Sequence, residues 1–337
     1  MKVAVTGGAG YIGSHTCLEL IKENYEVLII DDLSNGNEIA LNRIKQIAGA
    51  NFVFKQVDIG NLDKLTEIFQ KFLPESVIHF AGVKSVSESI INPTKYYSKN
   101  LSGTINLLSA MEAVGCGNLV FSSSATVYGK PEYLPYDENH AVAPESPYGR
   151  SKLMAEQVIQ DWCLAKSNRH TIALRYFNPV GADRSGLIGE DSKILPTNIM
   201  PIIAGVAVGR FKKVYVFGSD YETQDGTGER DYVHVSELAK AHIAALEKLG
   251  SFKKPSVFNL GSGKSYSVLD LIKTFEKVSD RKILYTLKDR RQGDIDKYFA
   301  DGKLAERILG VSFHKSLEEM CEDTWRWTKK NPDGFVL

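Results

Sequence analysis

The chain has no net charge: 41 lysines and arginines balance 41 aspartates and glutamates across 337 residues. Without a general electrostatic field it is a poor fit to nucleic acid or an anionic membrane, so any anionic partner must be held by local groups. Cysteine is scarce. Cys17, Cys116, Cys163 and Cys321 stand far apart with no C-x-x-C pair, which argues against a disulfide framework or zinc cluster and for reduced thiols. The 7 histidines show no ligand spacing, so no metal is expected. No apolar run approaches the ~18 residues of a membrane span, and the sequence opens on a strand-like run rather than an export signal. A cytoplasmic location is therefore expected. What remains, 43% hydrophobic and 24% charged, is the composition of a folded globular protein. The length suits about two domains of ~150 residues.

Apolar runs alternate with amphipathic segments through the first half, the pattern of βαβ units feeding a parallel sheet. Strands are predicted at Lys2–Thr6, Glu26–Ile30, Asn51–Val57, Ser76–Phe80, Asn118–Ser122 and Thr171–Arg175. Helices are predicted between them at Tyr11–Glu23, Asn37–Ala48, Asn61–Phe72, Pro93–Val114 and Ser146–Ala165. After Phe177 the rhythm breaks into a Gly-rich polar stretch, then shorter elements and a last helix over Ser316–Lys329. Ser267 and Asp270 have the spacing of a helix capping box. The fold class expected is α/β: a doubly wound parallel-sheet Rossmann domain with a smaller α/β substrate-binding domain. Residues 1–177, with 233–256 returning to it, are expected to form the first, and 178–337 the second.

The first predicted strand runs into GGAGYIG, placing Gly7, Gly10 and Gly13 in the spacing G-x-x-G-x-x-G before a helix. Each glycine has a task there: a tight turn, close approach of backbone to a pyrophosphate, and close packing of helix on sheet. The helix N-terminus beyond offers N–H groups and a positive dipole end. Asp31 closes the second strand roughly 20 residues later, where a carboxylate bonds an adenosine ribose. Asp32 follows it with no basic residue alongside, a pair that repels a 2′-phosphate and favours NAD over NADP. Asp58 and the HFAG run His79–Gly82 fall at carboxyl ends of further strands, where open α/β sheets bind ligands. His79 itself is read as a packed strand histidine.

The fifth strand leads into SSSATVYG, and the next helix opens with SPYGRSK. Tyr148 and Lys152, four apart, share a helix face. A nearby ammonium lowers a phenol's pKa, which suits Tyr148 to general-base work, with the Ser124 hydroxyl adding a hydrogen bond to the same substrate oxygen.

With RYFNPVG, GTGERDYVHV, FNLGSG and RRQGD further on, these motifs in this order resemble the extended short-chain dehydrogenase/reductases, and within them the UDP-hexose 4-epimerases, from Lys2 to about Trp327. The resemblance implies bound NAD, UDP-glucose and UDP-galactose as substrates, a transient 4-keto sugar, and a homodimer formed through helices 93–114 and 146–165. It implies cofactor contacts from Tyr11, Ile12, Asn35, Ile59, Phe80, Ala81, Gly82, Lys84, Asn100, Ser122 and Phe177, besides Asp31, Asp32, Asp58, Tyr148 and Lys152. Asn100 is matched rather than its neighbour Lys99. On the UDP-sugar side it implies Lys84, Ser124, Ala125, Thr126, Tyr148, Asn178, Asn198, Ile199, Val216, Phe217, Arg230, Arg291, Asp294 and Tyr298. Arg230 and Arg291 are forks suited to a diphosphate, and Asn178 offers both donor and acceptor to sugar hydroxyls. Asp294 beside Arg291 also has the spacing of a loop salt bridge.

A nucleotide-sugar dehydratase is disfavoured, because Ser124, Ala125 and Thr126 stand where those enzymes resemble Thr-Asp-Glu and the eliminating acid is missing. A non-catalytic NAD-sensing regulator would have no need of the Tyr148–Lys152 pair. Epimerases of UDP-pentoses or UDP-hexuronates stay open. In the resemblance Tyr298 bounds the sugar pocket, and its ring predicts poor room for an N-acetyl group. Turnover of UDP-N-acetylglucosamine should be far below that of UDP-glucose and should rise in Tyr298→Cys; comparable turnover of both sugars by the unaltered enzyme would contradict this.

Overall fold

The computed structural model describes residues 1–191, 196–291 and 294–336. Gln292 and Gly293 of the RRQGD motif, and residues 192–195 of the Gly-rich polar stretch, lie outside the described residues. Six strands of the first half are β1 (Lys2–Thr6), β2 (Glu26–Asp31), β3 (Val53–Gln56), β4 (Ser76–His79), β5 (Asn118–Ser124) and β6 (His170–Tyr176). With Ser256–Leu260 they make a seven-stranded parallel sheet in the order Ser256–Leu260, β6, β5, β4, β1, β2, β3. The order reverses between β1 and β4, which opens a crevice at their carboxyl ends.

The strands are apolar because both faces are covered. Val3, Ala4 and Val5 of β1 have no exposed surface. One face packs beneath helices Tyr11–Lys22 and Val235–Lys248, through Leu18, Ile21, Leu238 and Leu246. The other lies under Leu62–Phe72, Gly103–Ala113 and Pro147–Leu164. In Leu62–Phe72 the buried residues are Leu65, Phe69 and Phe72, the i, i+4, i+7 stripe of an amphipathic helix. Each such side chain, fully buried, contributes about 1.5–3 kcal/mol. Side-chain caps start two of these helices: Asn61 accepts from Lys64 N, and Ser146 from Gly149 N, with Pro147 in the first turn.

Beyond β6 the chain builds the smaller lobe around its own core, where helices Ile199–Ala207, Val268–Ser279 and Leu317–Lys330 pack on Val214, Val216 and Ile283. Ser267 and Asp270 form the expected capping box, and Ser316 with Glu319 a second. Asn178–Val180 pairs in parallel with Tyr232–His234, and Ser256–Leu260 pairs in parallel with β6 in the large sheet.

Two elements differ from the sequence reading in ways that matter for the site. The segment expected as one helix over 93–114 is helical throughout, but its middle, Tyr97–Ser102, is a π-helical turn, a form that concentrates at functional sites. β5 runs to Ser124 rather than stopping at Ser122, because its register with β6 continues to Ser124 opposite Tyr176. The four cysteines are free and buried.

Candidate active site

The glycine loop sits at the mouth of the crevice. Gly7 has φ +74°, and a Cβ there would lie 2.6 Å from Ala81 N; at Gly13 one would lie 2.2 Å from the Gly7 carbonyl oxygen. Neither position has room for a side chain, which leaves an open backbone cradle. Gly10 starts helix Tyr11–Lys22 with no side-chain cap, so its leading N–H groups face the mouth, and the Tyr11 hydroxyl donates to Gly181 O at 2.6 Å. Ile12 and Phe80 pack onto the core beneath.

Asp31 is buried at the end of β2 and braced on the loop: Oδ2 accepts from Ala9 N and Oδ1 from Leu33 N, each at 2.9 Å. Asn35 follows on the exposed turn. Across from it, Ile59 is buried and Asp58 is half-exposed, its Oδ1 accepting from Gly60 N at 2.8 Å. The sequence shows no base near Asp32, but the fold brings one: Lys99 bonds Asp58 and stands 3.7 Å from Asp32. The argument for NAD from an uncompensated carboxylate pair is corrected to that extent.

The π-helical turn sends Asn100 inward. Its Nδ2 donates to Val83 O and Ser151 Oγ, both at 3.0 Å, while Oδ1 accepts from Val83 N at 2.8 Å. Gly82 passes so close that a Cβ would lie 2.7 Å from Asn100 Oδ1. Asn100 thus ties the loop after β4, which carries Ala81, Gly82 and Lys84, to the helix that carries Tyr148. His79 is packed as expected, bonded to Thr6 Oγ1 and Thr104 Oγ1, and burial pushes its pKa down to about 3.

Tyr148 and Lys152 project from the first two turns of Pro147–Leu164, both buried, beside the end of β5. Burial pushes the Tyr148 phenol up, partly offset by its hydrogen bond with Ser124. Ser124 Oγ also accepts from Thr126 Oγ1 at 3.0 Å, at the start of the 3-10 turn Ala125–Val127. Burial pushes the Lys152 ammonium down to about 8, with Glu156 opposing. Lys152 donates to Ser122 O at 2.8 Å and stands 4.9 Å from the Phe121 ring centre. The expected ammonium effect on Tyr148 is therefore not what sets its pKa here; desolvation is. Ser122 Oγ bonds the Tyr176 hydroxyl. Behind them Glu156 forms a buried pair with Arg175, at 3.0 and 2.6 Å, and accepts from Ser123.

The smaller lobe faces this pair. Phe177 is buried, and Asn178 is held in line by its N–H donating to Asp231 O at 3.0 Å. Tyr298 packs 5.0 Å from the rings of Phe177 and Tyr136, and its buried hydroxyl has no partner among the described residues. Asn198 precedes the helix begun by Ile199; its Nδ2 donates at 2.8 Å to Glu190, which also takes Lys84 at 2.9 Å. Val216 is buried, and its neighbour Phe217 is partly exposed with the Arg291 guanidinium 4.7 Å from its ring. Arg291 pairs with Asp294 at 3.0 Å, and Arg230 donates to Glu229 O and Ile295 O, both at 2.9 Å. Sequence reasoning missed Glu190, Glu156 and Lys99. Only Lys99 left a trace, as the departure in YYSKNLSGT.

A family model described as the NAD dependent epimerase/dehydratase family matches residues 3–261. The chain belongs to the NAD dependent epimerase/dehydratase family. It is 49% identical to the UDP-glucose 4-epimerase of Bacillus subtilis, over 99% of each chain, and 49% identical to that of Homo sapiens, over 99% of this chain and 98% of the other. Its fold superposes on the Bifidobacterium longum UDP-glucose 4-epimerase solved with NAD+ and UDP, with TM-score 0.96, 43% identity and coverage of 99% and 100%. It superposes also on the Stenotrophomonas maltophila enzyme solved with NAD and formylated UDP-arabinopyranose, with TM-score 0.94, 45% identity and 98% of each chain. Like this family, the chain has helices on both faces of a parallel sheet. Among the described residues no helix could cross a membrane and no cluster could hold a metal.

Within this epimerase/dehydratase scaffold Lys152 carries a stability signature. Its folded pKa, about 8, lies below the ordinary lysine value, so between the two the folded state binds fewer protons than the unfolded state. Stability relative to Lys152→Met should therefore rise as pH goes from about 8 to ~10.4. Paired urea titrations check this, and a difference that stays flat or falls across that window would refute it.

Proposed function

We propose that this chain inverts C4 of UDP-galactose and UDP-glucose, reversibly and through a 4-keto sugar, with NAD held in the crevice, as galactose metabolism requires. The single observation that carries the reading is the Tyr148 phenol, buried beside Ser124 at the end of β5 with Lys152, also buried, one turn on in the same helix. The residues present fit NAD: the cradle has no room for a Cβ at Gly7 or Gly13, and Asp31 is braced to receive a ribose. When bound, NAD would supply the acceptor and donor for the C4 hydride and positive charge beside a phenol, Tyr148, that burial pushes toward its neutral form.

In this reading Ser124 and Tyr148 grip the 4-hydroxyl. Tyr148 takes its proton as the C4–H bond breaks and gives it back when the sugar presents its other face, so one phenol serves as base and then acid. Lys152, fixed by Ser122 O, is the residue that would hold the nicotinamide ribose and lend its charge to the phenolate. Asn178, Asn198, Arg230 and Arg291 hold the UDP, whose diphosphate matches the two guanidinium forks. Among the described residues neither fork has a buried carboxylate paired with it: Arg230 rests on backbone carbonyls, and Asp294 meets Arg291 on a part-exposed loop. Tyr298 and Phe177 wall the sugar. A 4-keto sugar must turn over between the two hydride transfers, which an aromatic wall permits better than a set of fixed hydrogen bonds.

The homodimer is part of the proposal. Helices Gly103–Ala113 and Pro147–Leu164 pack side by side and expose Ile105 and Met154, with Ile90 and Ile91 nearby in sequence. Light scattering at micromolar concentration should give twice the chain mass, and a monomer mass would remove this part. Incubating purified protein with UDP-galactose, without added NAD, should yield UDP-glucose. Tyr148→Phe should bind UDP-galactose with little change but turn over at least ~10²-fold more slowly. Unchanged turnover in that variant would overturn the mechanism.

A further inference from the structure

At the carboxyl ends of β2 and β3 the fold assembles three charges that the C4 chemistry does not use. Asp32 follows β2, Asp58 follows β3, and Lys99 reaches both from the π-helical turn Tyr97–Ser102. The Lys99 ammonium bonds the Asp58 carboxylate and lies 3.7 Å from Asp32 Oδ2. Asp32 is otherwise held by Ser34, whose N–H and hydroxyl donate to Oδ1 at 2.9 and 2.5 Å. All three side chains are partly exposed, 38% for Lys99, 30% for Asp32 and 41% for Asp58, so a ligand can reach them without unpacking the core. Hydrogen bonding to Asp58 raises the Lys99 pKa, so the ammonium stays charged. The same turn places Asn100 in the interior, so one irregular segment addresses two parts of the crevice.

The carboxylate at the end of β2 bonds the adenosine ribose in this fold, and a basic side chain nearby accommodates a 2′-phosphate where one is bound. Here a basic side chain is present, yet two carboxylates are paired with it. An ammonium has three donors, and one on Asp58 leaves others that turn to whichever acceptor lies on the β2 side. In the protein as it stands that acceptor is Asp32. We propose that Lys99 is a specificity-determining residue of the dinucleotide site: a cation masked by Asp32 and Asp58, which a 2′-phosphate engages once Asp32 is neutral. The proposal rests on the placement of NAD given above, with its adenosine at this edge. Asp31 at the ribose weighs against a 2′-phosphate in every variant; the balance among these three side chains from three separate segments sets how much further NADP is disfavoured, and Asp32 is the one that tips it.

The test compares the enzyme with Asp32→Asn, Lys99→Met and the double variant. Each is equilibrated with a fixed mixture of NAD and NADP until isotope-labelled NAD has fully exchanged, then desalted. The bound nucleotides are released with acid and counted. Asp32→Asn should raise the bound NADP-to-NAD ratio about tenfold, the scale of one charge pair near a protein surface, and the gain should shrink in high salt. Lys99→Met alone should lower the ratio, the double variant should lose most of the gain, and Asp32→Asn with Lys99→Arg should keep it. If Asp32→Asn raises the ratio equally with and without Lys99, the masked cation is refuted while the adenosine placement stands. If no substitution moves the ratio, the adenosine does not lie here and the placement fails with it.

Discussion

Loss of water around two side chains governs this site. Tyr148 and Lys152 are both buried beside the end of β5, and burial drives each toward its uncharged form, the phenol up and the ammonium down to about 8. A buried tyrosine is a poor base unless positive charge is brought to it. Ser122 O fixes the ammonium, Ser124 bonds the phenol, and the glycine cradle admits a cofactor against the same wall.

The sheet makes this arrangement possible at small cost in precision. β1 and β4 lie at the point where strand order reverses, so the loops after them part and leave a crevice at their carboxyl ends. Asn100 locks that crevice by joining the Val83 loop to Ser151 on the Tyr148 helix, and the buried Glu156–Arg175 pair fixes the next turns of that helix against β6. Removing one partner of such a pair leaves an uncompensated buried charge, so the pair specifies the position of the helix whatever its net contribution to stability.

Much of this was legible in the sequence, and for physical reasons. Strand and helix periods, the glycine spacing and the Ser267–Asp270 cap are local signals, set by residues that meet within a turn or two. Tyr148 and Lys152 were legible because a helix fixes which residues share a face. The misses are all long-range. Lys99 meets Asp58 across 41 positions and Glu190 meets Lys84 across 106, and no local pattern encodes a contact made by the fold. The π-helical turn was hidden for a related reason: its sequence is helical in propensity, and no local pattern marks the bonds that Asn100 makes from it into the interior. The desolvation of Tyr148 was missed likewise, since a sequence shows neighbours along a helix but not the depth at which the helix is buried.

In the proposed inversion C4 loses its hydrogen as hydride and recovers the same hydrogen, while only the hydroxyl proton passes through Tyr148. The decisive experiment runs the interconversion to equilibrium in deuterated water and reads C4 of both sugars by mass spectrometry and proton NMR. Full protium is expected at C4 in UDP-glucose and UDP-galactose alike. Deuterium at C4 would mean that the carbon exchanges a proton with solvent, and would contradict the assignment of Tyr148 as a base acting on oxygen alone.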